Sequence, residues 1–106
     1  MIMKDKLLYL INHYGKRNQV DVAIEEMSEL VKALIKERRI NDNGTIDCNS
    51  KSIRKTECQN DIREEIVDVF VMLEQLKILF NLKNDEIERR MLKKIERQIE
   101  RINNGI

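Results

Sequence analysis

The residues in this chain best suited to chemistry are acids in two short clusters. Glu25-Glu26-Met27-Ser28-Glu29 sets Glu26 and Glu29 three positions apart, and Glu65-Ile66-Val67-Asp68 repeats that spacing with Glu65 and Asp68. On a helix, residues three apart share a face, so each pair can converge on one site. Four carboxylates brought together repel one another unless a divalent cation sits among them. All-oxygen ligation suits hard ions, Mg²⁺ or Mn²⁺, better than zinc or copper. A di-iron centre is disfavoured, because such bundles use Glu-x-x-His pairs and His13 is the only histidine.

The elements that must position these acids read as helices. Leu7, Leu8, Leu10 and Ile11 lie in a segment from Met3 to Tyr14 that stops at Gly15, a residue able to end a helix in a positive-φ conformation. Asn18 can cap a second helix from about Gln19 to Arg39, with Asp21 favoured by the dipole in its first turn. From Ile40 to Asn60 polar residues prevail without a sustained period, which predicts a mobile loop or an insertion. A third helix runs from Asp61 to about Phe80, and a fourth opens at Asn84 and ends before Asn104. Four helices with no strand signal predict a single all-α domain, a four-helix bundle.

Where the acids fall on these helices gives them weight. At about 100° per residue, the apolar residues of the second helix fill an arc of roughly 220°. Glu26 lies inside that arc, Gln19 lies beside it and Glu29 stands at its edge, whereas Glu25 faces the opposite, charged side. In the third helix Ile66, Val67, Val69, Phe70, Val71, Met72 and Leu73 surround Asp68, so this helix is apolar almost all round and belongs at the centre. A glutamate on a buried stripe must be paired or bound to a cation. The fourth helix adds Arg90, Lys94, Arg97 and Arg101 at intervals of four, three and four. This basic stripe lies beside an apolar packing stripe of Ile87, Met91, Ile95, Ile99 and Ile102. It is either a solvated face or a set of phosphate contacts. Carboxylate-bound Mg²⁺ next to Lys and Arg suits polyphosphate chemistry.

Composition narrows the field. The 106 residues hold 20 basic and 19 acidic side chains, a formal charge of +1, so no field draws in nucleic acid polymers. With two Phe, two Tyr and no Trp there is also no platform for stacked bases. The longest apolar run near the N-terminus, Leu7 to Ile11, is too short for a membrane span or signal core, and a cytoplasmic, soluble protein is expected. Cys48 and Cys58 lack a zinc-ligand spacing and read as free thiols, with a disulfide as the alternative. A chain of this size buries on the order of 65% of its unfolded surface, so self-association is expected.

The two acidic motifs, with their apolar flanks and the basic last helix, resemble the EExxE and ExxD motifs of the MazG-like all-α nucleoside triphosphate pyrophosphohydrolases, over about residues 18 to 101. That superfamily includes dimeric dUTPases and dCTP pyrophosphatases. The resemblance implies a MazG-like bundle and Mg²⁺-dependent cleavage between the α and β phosphates of a nucleotide, releasing a nucleoside monophosphate and pyrophosphate, with Mn²⁺ a possible substitute. Glu26, Glu29, Glu65 and Asp68 would be the metal ligands. Glu25, or less favourably Glu64, would orient or deprotonate the attacking water. Lys94, Arg97 and Arg101 would contact phosphates, and Gln19 the base or sugar. It implies a homodimer or homotetramer. The 40–60 segment separates the motifs further than in compact members. Tyr9, Tyr14, Phe70 and Phe80 are the available stacking aromatics, with Phe70 and Phe80 expected in the core and His13 expected at the surface. A non-enzymatic helical partner-binding protein, whose acids pair with a neighbour's Lys and Arg, is the alternative function. A carboxylate-rich iron protein is a third.

Overall fold

Lys-and-Leu-rich sequence without proline favours helix, and helix is what the chain forms. The computed structural model describes residues 2–43 and 48–105, with side chains for 2–40 and 56–105. Its elements are α1 (Met3–Tyr14), α2 (Lys16–Asn43), α3 (Cys48–Leu79) and α4 (Asn84–Asn103). There is no strand among the described residues. The backbone divides into two compact units, Met1–Leu76 and Lys77–Ile106.

In the first unit, Gly15 alone separates α1 from α2. Its N–H donates to the Ile11 carbonyl at 2.8 Å, and its own carbonyl accepts from the Gln19 N–H at 3.0 Å. One residue thus satisfies the end of one helix and the start of the next, at a φ of 94° that favours glycine. The expected cap, Asn18, lies inside α2 instead. With Gly15 already supplying the terminal acceptor, the Asn18 amide donates to Gln19 Oε1 at 3.3 Å.

The segment expected as a loop over 40–60 is helical on both sides: α2 continues to Asn43 and α3 begins at Cys48, with 44–47 outside the described residues. The reason is that Asn, Ser and Thr are only weakly disfavoured in helices. Propagation from a formed helix needs one favourable residue at a time, whereas nucleation needs a turn. Buried Ile40 and Cys58 give these extensions an inward side. Cys58 is a free thiol.

The unit's core gathers Leu7 and Ile11 from α1, Ala23 and Ile40 from α2, and Cys58 and Met72 from α3. At its centre is a polar pair. Gln19 Nε2 donates to Gln75 Oε1 at 2.7 Å, Gln75 Nε2 approaches the Met72 sulfur at 3.7 Å, and Gln75 is only 1% exposed. Gln19 near the start of α2 meets Gln75 near the end of α3, while Glu26 meets Glu65 and Asp68. The two helices are therefore antiparallel.

Only part of the apolar surface is used. On α2, Ala23 is buried but Ile24 and Val31 stay exposed. On α3, the Met72 side is buried while Val67 and Phe70 remain 58% and 60% exposed. Phe70 and Phe80, expected in the core, are both exposed: Phe70 lies away from the buried Met72 side of α3, and Phe80 follows the end of that helix. His13 is exposed as expected, stacked on Tyr9 with ring centroids 6.5 Å apart and edge-on to Tyr14 at 4.7 Å.

The second unit begins with the end of α3. The Leu82 N–H donates to the Lys77 carbonyl at 2.9 Å and the Asn81 N–H to the Ile78 carbonyl at 3.3 Å, with Asn81 at φ 52°. This is a Schellman ending with asparagine in the left-handed position. α4 follows over the span its periodicity predicts.

Candidate metal centre

α2 and α3 each deliver acids from one face to a common place. Glu26, Glu65 and Asp68 each offer a carboxylate oxygen, and these atoms lie within 4.8 Å of one another. Glu65 and Asp68 are one turn apart on α3, and the antiparallel register locked by Gln19 and Gln75 brings Glu26 level with them. Glu26 and Glu65 are half-buried and Asp68 is exposed, so the cluster opens to solvent on the Asp68 side.

Its electrostatics are those of a site short of positive charge. Burial pushes the Glu26 carboxyl up from its ordinary value, and the negative charges of Asp68, Glu25 and Glu29 push the same way. Burial likewise raises Glu65, with added repulsion from Asp68, Glu26, Glu29 and Asp61. Glu65 Oε2 is buried without a hydrogen-bond partner, a state that is costly unless something supplies positive charge or a proton. A hard divalent cation does so, and a set made only of carboxylate oxygens is the donor set such an ion takes. The residues therefore fit Mg²⁺ or Mn²⁺.

The other expected site residues are placed as follows. Glu29 is outside the three-acid group: its Oε1 lies 3.3 Å from Lys32 Nζ, although its charge is felt by both Glu26 and Glu65. Glu25 is exposed, and its charge acts on Glu26. Glu64 is also exposed. Lys94, Arg97 and Arg101 are exposed on α4, in the second unit. Gln19 is 5% exposed and held by Gln75, so its amide serves the α2–α3 contact. Ser28, inside the first motif, donates to the Ile24 carbonyl at 2.9 Å and is thereby occupied.

Two contributors escaped the sequence reading. Gln75 is visible only as a polar residue between Leu73 and Leu76 on an apolar helix, and its partner lies 56 positions away. Asp61, one turn before Glu65, adds to the repulsion there, and its spacing of four was a usable signal. No protein-family model, curated protein or solved structure matches the chain.

Proposed function

We propose that this chain is a Mg²⁺-dependent nucleoside triphosphate pyrophosphohydrolase of the MazG-like all-α kind. It would cleave between the α and β phosphates to release a nucleoside monophosphate and pyrophosphate. The observation that supports it most is the meeting of Glu26, Glu65 and Asp68 within 4.8 Å, with Glu65 Oε2 unpartnered, at positions that match the two acidic motifs.

Glu26, Glu65 and Asp68 would hold Mg²⁺, or Mn²⁺ in its place, with Glu29 joining as a fourth ligand once released from Lys32. When bound, the ion supplies charge stabilisation at phosphate oxygens. Glu25 would direct the attacking water, its charge reaching the neighbouring Glu26; Glu64 is the second choice. Lys94, Arg97 and Arg101 would neutralise phosphate charge. The protein would work in the cytoplasm as a bundle built by a homodimer or homotetramer. None of the described helices is long and apolar enough to cross a membrane. Exposed Val67 and Phe70 also favour a second reading, a helical partner-binding protein without catalysis.

Pyrophosphate release from a panel of ribo-, deoxy- and modified nucleoside triphosphates separates the two. The hydrolase reading expects Mg²⁺-dependent release, reduced at least 100-fold in both Glu29→Gln and Asp68→Asn. Release from none of them, with partner binding indifferent to Mg²⁺, selects the second reading.

A further inference from the structure

α4 carries an apolar face whose side chains are exposed. Met91, Leu92, Ile95, Ile99 and Ile102 are each about half exposed or more, Ile102 reaching 77%. At about 100° per residue they fall with Ile87 into one arc of roughly 140°. The charges beside this arc are sorted. Along one edge run Lys94, Arg101, Arg90 and Arg97, with Glu86 the one acid among them, bonded to Arg90 at 2.9 Å. Along the other edge lie Asp85 and Glu96, with Arg89, Glu100 and Lys93 further round.

That sorting selects both a partner and its direction. Two copies of one helix packed in parallel about a two-fold axis set opposite edges against each other; packed antiparallel, they set like edges together. Here parallel pairing places Lys94 and Arg101 against the partner's Glu96, which leaves Arg97, further round, as the cation of the three that keeps the phosphate role in a paired chain; antiparallel pairing places basic against basic and acidic against acidic. Glu88 lies within the apolar arc, where two copies would meet charge to charge, so the contact starts after it.

We propose that residues 91–102 of α4 pair in parallel with the same residues of a second copy. Three turns are too short to join free helices. The pairing therefore rests on the self-association proposed above and forms between copies already held together by it. It does not depend on hydrolysis.

Cysteine cross-linking reads the direction. Met91→Cys and Ile102→Cys are made separately in the full chain carrying Cys48→Ser, Cys58 being buried. The two positions lie about 16 Å apart along the helix, far beyond the reach of a disulfide. Both substitutions fall on exposed side chains, so folding is preserved, and sedimentation of each variant is compared with the unsubstituted chain. Parallel pairing expects each variant to form covalent dimers with itself under mild oxidation, and the parent to form none. Cross-linking only in a mixture of the two variants, as antiparallel pairing requires, overturns it. So does an oligomer in which neither variant cross-links. A monomer in sedimentation overturns both this pairing and the association it rests on.

Discussion

Glu65 holds a buried oxygen without a partner beside two other acids, and this makes the cluster a source of instability. Glu26 and Glu65 both bind protons more tightly in the folded chain than their ordinary value of 4.5 allows. Folding therefore takes up protons in the window just above that value. The contribution to stability is present at lower pH and lost as pH rises through the folded-state values. In chelator, Glu65→Gln is expected to melt above the natural chain at pH 7 and to lose that advantage towards pH 4.5, measured by circular dichroism. Metal binding should show the opposite trend, weakening as the acids gain protons. A second residue-scale prediction concerns the buried amides. Gln75→Leu strands the Gln19 amide and should cost about 1–3 kcal/mol in urea denaturation, while Gln19→Leu with Gln75→Leu should recover much of that loss. The acids of this site were legible because they interrupt apolar arcs. The Gln19–Gln75 bond was not, because sequence spacing says nothing about which residue of a distant helix stands opposite.

At the scale of elements, the ends marked by special backbone needs could be read and the others could not. Gly15 ends α1 because its φ of 94° suits no other residue well, and α4 runs between the turn at Asn81 and the residues before Gly105. Nothing comparable marks the 40–60 segment, whose polar residues lower helix propensity without stopping it, so α2 and α3 extend well past their expected limits. Similarly, Asn18 had the right chemistry for a cap, but Gly15 had already closed that end. Gly15→Ala tests how much the junction matters. A β-carbon there would meet nothing within 4 Å, so the cost is backbone strain alone. About 1–2 kcal/mol is expected in chemical denaturation, with the helix content unchanged.

For the whole molecule, the outstanding feature is apolar surface left in water. Ile24, Val31, Leu34 and Ile35 on α2, and Ile66, Val67, Phe70, Val71 and Leu73 on α3, are all exposed. Covering the remaining half of such a side chain is worth roughly 1 kcal/mol. Together these residues reach the range of about 4–15 kcal/mol that association must offset. The natural chain is therefore expected to sediment as a dimer or larger, and Phe70→Glu with Val67→Glu to sediment as a monomer. The apolar girdle of α3 led to the expectation of a central helix, yet much of it is exposed in the single chain; on the proposed association another copy would cover it. The claim on which the functional account turns is that the acids meeting between α2 and α3 form a divalent-cation site. Calorimetric titration of the natural chain with Mg²⁺ and with Mn²⁺, alongside Asp68→Asn and Glu65→Gln, tests it most directly. Saturable binding to the natural chain, lost in both variants while their helix content is kept, is the expected result; binding that is absent, or indifferent to both substitutions, would contradict it.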